Sequence, residues 1–246
     1  MLEERLDKLL VKLNLVSTRV RAEKIIREDG VKVNGVLITK TSKKFPADSK
    51  IELVAEEIPW VSKSALKLIG AIEKWELMIQ GKTFLDIGVS TGGFTEVLLH
   101  NGAAKVFCVN VGGGQLHQTI LNNPNVINLE KIQVRELTPK LITEKVAGCV
   151  IEVSFISLEK IIPFVQGYIE NNGFLMAVVK PQFEVNKEDV AKGGIVKDKK
   201  LYPTVIHKIK QLASANNLNF VDYIESPILG ADGNQEFLMY FSKSAV

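Results

Sequence analysis

A glycine-rich turn follows an apolar run at residues 83–87. In α/β proteins such a turn between a strand and a helix receives nucleotide-like ligands, because glycines permit close backbone approach and the helix N-terminus offers N–H donors. The spacing is not Gly-x-Gly-x-x-Gly, and no Gly-Lys-Ser/Thr follows as in a P-loop. The turn therefore predicts a nucleotide-like ligand, with a tight turn that binds nothing as the alternative. Its residues are Asp86, Gly88, Ser90, Thr91, Gly92, Gly93 and Phe94.

Lys180 ends an apolar run that begins at Leu175. The carboxyl ends of parallel strands form the edge where ligands gather. Lys180 is therefore expected at a ligand-binding edge, and a solvated strand end is the alternative. Considered alone, Lys67 fits a solvated helix and Glu236 a surface position in an edge strand.

Seven apolar runs alternate with helical patterns from residue 83 onward, which predicts an α/β domain with a mostly parallel sheet covered on both faces. The short glycine-containing loop at 230–233 favours an antiparallel last pair of strands at the edge. Strands are predicted near 83–87, 105–109, 126–129, 149–153, 175–180, 220–224 and 237–241. Helices are predicted near 91–101, 115–122, 158–170 and 201–216.

The positive charge of the chain is concentrated at its N-terminal end. Residues 1–50 contain 12 Lys/Arg and 7 Asp/Glu, whereas the remainder contains 19 and 21. This asymmetry indicates a module that binds a polyanion, with a solvated surface as the alternative. Leucine spacing predicts a helix at 6–13, Ser17 caps a second helix, and Asn34-Gly35 predicts a hairpin turn before a strand at 51–54.

The N-terminal segments at 5–10, 17–26 and 30–35 together resemble the alpha-L RNA-binding motif. The resemblance implies a small α+β domain at 1–59 that binds structured RNA, with a linker and first helix at 60–82 and a second domain at 83–246. Contacts to phosphate would set affinity and register rather than sequence choice. The candidate contacts are Arg5, Arg19, Arg21, Lys24, Lys32 and Lys63.

The glycine-rich turn resembles the S-adenosylmethionine loop of Rossmann-like methyltransferases. With segments 60–68, 153–158, 179–184 and 233–237, the chain resembles the TlyA (hemolysin A) family, which is similar to FtsJ-type ribose 2′-O-methyltransferases. The resemblance implies methyl transfer from S-adenosylmethionine to a ribose 2′-hydroxyl of ribosomal RNA, with cytidine suggested. It implies a catalytic tetrad of Lys67, Glu152, Lys180 and Glu236. It adds Asn110 and Gln133 to the turn residues as cofactor contacts.

Several positions depart from the family pattern. Glu152 replaces an aspartate, and a displacement of about 1 Å near reacting groups can cost on the order of 100-fold in rate. Asn110 replaces an aspartate, the aromatic residue expected at 112–114 is absent, Gln133 replaces an asparagine, and Lys63-Ser64 replaces Arg-Gly. The alternative to an active enzyme is an RNA-binding protein with little or no catalysis. A nicotinamide oxidoreductase and a pore-forming toxin are less favoured.

The remaining features favour a protein that works in the cytoplasm without a metal or a membrane. Cys108 and Cys149 lie in apolar runs and are expected to be reduced core residues. Two cysteines and three scattered histidines offer no metal-ligand spacing. The first residues are too charged for a signal peptide, and no apolar run reaches the roughly 20 residues of a membrane span.

Overall fold

The computed structural model describes residues 3–54, 58–230 and 232–244. The chain divides into two compact units, Met1–Pro59 and Trp60–Val246. Each unit has its own apolar core. None of the helices in the described ranges is long and apolar enough to cross a membrane.

The first unit is a small α+β fold. Its strand β2 pairs antiparallel with both β3 and β5, and Asn34 and Gly35 take positive φ angles of 51° and 80° in the turn between β2 and β3. This confirms the predicted hairpin, because both turn residues adopt the conformation that Asn-Gly favours. The elements are β1 (Glu3–Arg5), α1 (Leu6–Lys12), α2 (Arg19–Glu28), β2 (Val31–Val33), β3 (Val36–Ile38), β4 (Lys44–Pro46) and β5 (Ile51–Leu53).

The second unit is a seven-stranded sheet with helices on both faces. The strand order is β11-β12-β10-β9-β6-β7-β8, and β12 alone runs antiparallel to its neighbours. This confirms the mostly parallel sheet with an antiparallel last strand. The elements are α3 (Ala65–Trp75), β6 (Thr83–Ile87), α4 (Gly93–His100), β7 (Lys105–Asn110), α5 (Gln118–Leu121), β8 (Val126–Glu130), β9 (Val146–Ile151), α6 (Ile162–Val165), β10 (Ile169–Val179), α7 (Tyr202–Ser214), β11 (Leu218–Glu225) and β12 (Phe237–Lys243).

The central strands bury side chains on both faces, which explains their continuous apolar sequences. In β10, Leu175 and Ala177 belong to one apolar cluster, whereas Met176 and Val178 belong to the cluster on the opposite face. Both cysteines are buried and unbonded to each other, as expected. Apolar side chains thus cover both faces of the strands whose ends carry the candidate site.

Three predictions about this unit were wrong. The helix predicted at 158–170 is two short 3₁₀ turns around α6, and β10 already begins at Ile169, because pairing with Val146 of β9 overrides the local helical pattern. The helix predicted at 115–122 is reduced to the four residues of α5. The last two strands form the predicted antiparallel pair at one edge of the sheet, but β12 lies between β10 and β11, so the expectation that Glu236 belongs to an edge strand was wrong.

Candidate functional site

Four polar residues converge at the carboxyl edge of the sheet. Glu152 and Lys180 directly follow β9 and β10, which are neighbouring parallel strands. Glu236 directly precedes β12, whose first residue, Phe237, pairs with Val179, the last residue of β10. Because β12 is antiparallel, its start lies at the same edge as the ends of β9 and β10. Lys67 reaches this edge from α3.

Lys67 lies between the two carboxylates. Its Nζ is 2.5 Å from Glu152 Oε1 and 2.6 Å from Glu236 Oε2. The side chains of Lys67 and Glu236 are only 6% and 2% exposed. Buried charges of this kind are tolerated when they are paired and hydrogen-bonded. The structure thus brings together all four residues of the predicted tetrad, including Glu236, which is buried and not on the surface of an edge strand.

The two lysines of the cluster are not equivalent. Burial by itself lowers the pKa of Lys67, but the adjacent Glu152 and Glu236 outweigh that effect and leave the pKa raised above its ordinary value. Lys67 therefore stays protonated and neutralises the carboxylates. Lys180 Nζ is farther from them, at 3.6 Å from Glu152 and 4.0 Å from Glu236, and it donates a hydrogen bond to Ser154 Oγ at 3.0 Å. Lys180 is the lysine with the looser ion pairing.

Gly88 is required where β6 turns toward α4. Its φ is +87°, and a Cβ atom at this position would lie 2.3 Å from the carbonyl oxygen of Glu152. Any other residue would displace the backbone of Glu152 and with it the carboxylate that contacts Lys67. The glycine predicted to approach a ligand therefore also permits the close approach of two strand ends.

Asp86 lies beneath the glycine-rich turn and not on its surface. Its carboxylate accepts hydrogen bonds from the Thr95 hydroxyl, at 2.6 Å, and from the Thr95 backbone N–H. Burial raises the pKa of Asp86 to about 7. Because Thr95 lies in the first turn of α4, Asp86 ties the end of β6 to the start of that helix. Its effect on a cofactor would come through the shape of the turn.

The other turn residues divide into exposed and buried groups. Ser90, with a φ of 51°, and Thr91 are exposed. Gly92, Gly93 and Phe94 are buried, and Gly92 begins α4 without a side chain that could cap it. An exposed backbone turn above an uncapped helix start suits a polar or anionic ligand group. The residues present therefore fit the proposed cofactor.

The last two cofactor candidates follow the next strands along the same edge. Asn110 ends β7, and its Nδ2 donates to Gln115 Oε1 at 2.9 Å. Gln133 is exposed and begins a 3₁₀ turn after β8, where its backbone N–H donates to Glu136 at 2.7 Å. Since β6, β7 and β8 are adjacent, the candidates form a continuous row on one side of the tetrad.

Sequence reasoning did not single out Ser154 and Phe155, although both belong to the segment 153–158 that carries the family resemblance. Ser154 accepts the hydrogen bond from Lys180. Phe155 is 92% exposed and has a φ of 63°, which is an uncommon conformation for a bulky residue. Its ring centroid lies 5.3 Å from that of Phe183. An exposed aromatic ring in the residue after Ser154, the hydrogen-bond partner of Lys180, could stack on a nucleic-acid base.

Sequence reasoning also did not single out Asn234, although it belongs to the segment 233–237 that carries the family resemblance. The residue is 2% exposed, its Oδ1 accepts from the Val196 N–H at 3.0 Å, and its Nδ2 donates to the Gly194 carbonyl at 2.7 Å. Both ends of the amide are thus satisfied by one neighbouring loop. Asn234 fixes the approach of the chain to Glu236 two residues later.

Two RNA-contact candidates of the first unit, Arg5 and Arg19, lie against a buried carboxylate. Asp7 is fully buried, and it accepts hydrogen bonds from Arg5, at 3.0 and 2.9 Å, and from Arg19, at 2.8 Å. The hydrogen bond from Arg5, together with Arg19, holds the pKa of Asp7 well below its usual range despite burial. The arginine side chains stay 35% and 50% exposed, so each keeps a surface for a phosphate.

The other candidates are spread over both units. Lys32 is exposed on β2, and Arg21 and Lys24 are half-buried on α2. Lys63 is half-buried and belongs to the second unit. Among the residues that the structure describes, no group of three or more His, Cys, Asp or Glu is placed to hold a metal ion.

Comparison with known proteins agrees with this geometry. The profile of the FtsJ-like methyltransferase family matches residues 60–243, and that of the S4 domain matches residues 4–51. The chain is 36% identical over 237 residues to the 16S/23S rRNA (cytidine-2′-O)-methyltransferase TlyA of Mycobacterium tuberculosis, covering 96% of this chain and 88% of that one. It is 34% identical to Hemolysin A of Brachyspira hyodysenteriae, covering 96% and 99%.

A solved structure shows the same likeness in three dimensions. A chain named as a hemolysin, from Streptococcus thermophilus, superimposes with a TM-score of 0.77 at 33% identity, covering 98% of this chain and 89% of that one. The expected methyltransferase fold and the N-terminal RNA-binding module are both confirmed. This chain belongs to the TlyA/hemolysin A family of FtsJ-like methyltransferases that carry an N-terminal S4 domain.

Proposed function

We propose that this protein transfers a methyl group from S-adenosylmethionine to the ribose 2′-hydroxyl of a cytidine in ribosomal RNA. The observation that carries the proposal is the assembled cluster of Lys67, Glu152, Lys180 and Glu236 at the carboxyl edge of a methyltransferase sheet. The choice of cytidine follows the activity for which the TlyA relative of Mycobacterium tuberculosis is named.

A ribose 2′-hydroxyl is a weak nucleophile that must share or lose its proton during the reaction. Lys180 Nζ is the atom best suited to orient that hydroxyl or accept its proton, because its ion pairs are 3.6 and 4.0 Å long, against 2.5 and 2.6 Å for Lys67. Glu152 and Glu236 would stabilise the ammonium form that results. Alignment of hydroxyl and methyl donor would contribute most of the rate.

S-adenosylmethionine, when bound, supplies the activated methyl group. The residues that would hold it follow β6, β7 and β8 in one row, whereas the tetrad lies on the other side of β6, after β9 and β10 and before β12. The chain crosses from β8 to β9 at this position, and such switch points are where open α/β sheets bind ligands. We expect Ser90, Thr91, Gln133 and the Oδ1 atom of Asn110 to contact the cofactor, over a turn shaped by Asp86, Gly88, Gly92, Gly93 and Phe94.

The S4 unit would bind ribosomal RNA in an assembled subunit. Its candidate phosphate contacts are Arg5, Arg19, Arg21, Lys24 and Lys32, with Lys63 added by the second unit. Such contacts set affinity and orientation, so the target nucleotide is selected elsewhere. Because the proposed substrate is ribosomal RNA, we expect the protein to act in the cytoplasm.

A competing proposal is an RNA-binding protein with little catalysis, and the amide at Asn110 favours it because the charge of the family aspartate is lost there. The deciding experiment incubates purified 30S and 50S subunits, taken from cells that lack the gene, with the protein and S-adenosylmethionine. Mass spectrometry of the digested RNA should show new 2′-O-methylcytidine in at least one subunit. RNA binding without any 2′-O-methylation would overturn the proposal of an active enzyme.

Two matched arms identify the groups responsible. Lys180→Ala should lower the rate at least about 100-fold while the melting temperature is kept, because it removes the proton-handling group. Full activity of that variant would remove Lys180 from the mechanism.

S-adenosylmethionine should raise the melting temperature of the protein and NAD should not, since a bound ligand stabilises the folded state by mass action.

A further inference from the structure

Glu184 is a buried carboxylate that links the chain segment after β9 to the segment after β10. Its side chain is 2% exposed. Oε1 accepts a hydrogen bond from the Leu158 backbone N–H at 2.8 Å, and Oε2 accepts one from Ser157 Oγ at 2.7 Å. Lys208 Nζ, from α7, lies 3.3 Å from Oε2 and supplies the counterion. A buried carboxylate with these three partners has one defined orientation.

Both segments that Glu184 joins are connected to Lys180, since one contains its hydrogen-bond partner Ser154 and the other begins with Lys180 itself. Ser157 closes the segment in which Ser154 accepts the hydrogen bond from Lys180 and Phe155 takes its uncommon φ of 63°. Glu184 also closes the turn that follows Lys180, since its own N–H donates to the Pro181 carbonyl at 3.0 Å. The side chain of Glu184 therefore holds the segment that carries Ser154, and its backbone N–H holds the turn that follows Lys180.

We propose that Glu184 is a positioning residue for methyl transfer, which holds Ser154 against Lys180 Nζ by fixing Ser157 and Leu158. This inference rests on the proposed function. It assigns a role to an acidic residue that lies outside the tetrad and pairs with Ser157, Leu158 and Lys208.

Glu184→Gln tests the role because the amide keeps the size of the side chain but has only one acceptor oxygen. Its NH₂ group would face a partner that now donates to the carboxylate, either the Leu158 N–H or Ser157 and Lys208. The variant should lower kcat for subunit methylation about 10- to 100-fold, as expected for a displacement near 1 Å. The KM for S-adenosylmethionine should not change, since its proposed contacts follow β6 to β8. Glu188→Gln is the matched control, because Glu188 is exposed in the next part of the chain, and its kcat should stay within about twofold.

A double-mutant cycle separates positioning from general destabilisation. If Glu184 acts through Ser154, Glu184→Gln should have little further effect on kcat in a Ser154→Ala background. Equal fold-losses in both backgrounds, or an unchanged kcat in the single variant, would overturn the proposal. If Glu184→Gln does not fold, Ser157→Ala takes the place of that variant in the cycle, because it removes the hydrogen bond from Ser157 to Glu184. A smaller loss of kcat in the Ser154→Ala background would again support the proposal, and equal losses in both backgrounds would overturn it.

Amide hydrogen exchange provides a readout that does not depend on activity. In Glu184→Gln, exchange should accelerate at residues 153–158 and stay unchanged in β6 and β7. Unchanged exchange at 153–158 would overturn the positioning role even in an active enzyme. The two proposals can fail separately. If the wild-type protein does not methylate subunits, the proposed function is contradicted. If exchange at 153–158 is nevertheless faster in Glu184→Gln than in the wild type, the role of Glu184 in fixing this segment is supported.

Discussion

Lys67 Nζ lies 2.6 Å from Glu236 Oε2, and both side chains are buried although 169 positions separate them in the chain. Two consequences of the fold create this ion pair. α3 packs against the sheet, and β12 lies between β10 and β11, so Glu236 directly precedes a strand that is paired on both sides. Lys67 is the closest cation to both glutamates, so removing Lys67 leaves their buried carboxylates without their nearest partner.

Lys67→Met should show the cost of that loss. The variant leaves Glu152 and Glu236 without their closest cation, and we expect the free energy of unfolding to fall by about 3 kcal/mol and methyl transfer to be lost. Urea unfolding followed by tryptophan fluorescence reports on this unit, because Trp60 and Trp75 both belong to it. Lys74→Met, on the same helix with a 51% exposed side chain, should change stability by less than about 0.5 kcal/mol. Equal unfolding midpoints for the two variants would contradict the prediction.

Glu152→Asp should lower the rate, even though aspartate matches the family pattern. Glu152 Oε1 now lies 2.5 Å from Lys67 Nζ, and a side chain shorter by one methylene would withdraw the carboxylate by about 1 Å. We expect a loss of about 10- to 100-fold in single-turnover methylation at saturating cofactor. Glu170→Asp, at an exposed position of β10, is the control. A faster variant would show instead that the glutamate limits an otherwise competent site.

Phe155→Ala should weaken use of the RNA substrate without affecting the fold, because the ring is 92% exposed. Stacking of a base on an aromatic ring contributes about 1–3 kcal/mol, so kcat/KM for the subunit should fall about 5- to 150-fold, and Phe155→Trp should restore most of it. Phe164→Ala removes another exposed aromatic ring, 45% exposed, from α6, before the start of β10 and thus away from the catalytic edge. If both alanine variants lose the same amount, stacking at Phe155 is not the cause.

Asp86 should give the second unit an unusual dependence of stability on pH. Its pKa is raised to about 7 by burial, against about 3.9 for a carboxyl in the unfolded chain. Between these values the folded state binds more protons, so the contribution of Asp86 to stability is present below about pH 4 and is lost as the pH rises to about 7. Asp86→Asn should remove this slope. The difference in unfolding midpoint between variant and wild type, followed by tryptophan fluorescence, should change from pH 5 to 7 and level off above pH 8. If the unfolding midpoints of the variant and the wild type change in parallel with pH, the predicted contribution of Asp86 is contradicted.

Neutralising candidate phosphate contacts of the S4 unit should reduce the salt dependence of RNA binding. Arg19 is unsuitable for this test because it also holds buried Asp7, so its replacement would disturb folding as well as binding. Arg21→Gln and Lys32→Gln should each lower the slope of log K against log salt by about 0.7–0.9 if each cation contacts one phosphate. Lys12→Gln, whose side chain is 63% exposed and pairs with Glu4, should leave the slope unchanged. Identical slopes for all three variants would show that Arg21 and Lys32 do not contact RNA phosphates.

Local sequence patterns determined the architecture of this protein. Continuous apolar runs such as 83–87 predicted strands buried on both faces, and the Asn34-Gly35 pair predicted a hairpin because both residues tolerate positive φ. The helix predicted at 158–170 was wrong, because strand pairing at Ile169 outweighed local propensity. The tetrad residues could be named from the family resemblance, but their individual patterns suggested solvated positions for Lys67 and Glu236.

Only the tertiary structure decided which polar residues meet. The insertion of β12 buries Glu236 beside Lys67, and the adjacency of β9 and β10 brings Ser154 to Lys180 and Glu184 to Ser157. Periodicity and composition report whether a residue faces the core or the solvent, which is a local property. The distance between residues far apart in the chain depends on the order and direction of strands in the sheet, and that order follows from the packing of the whole domain.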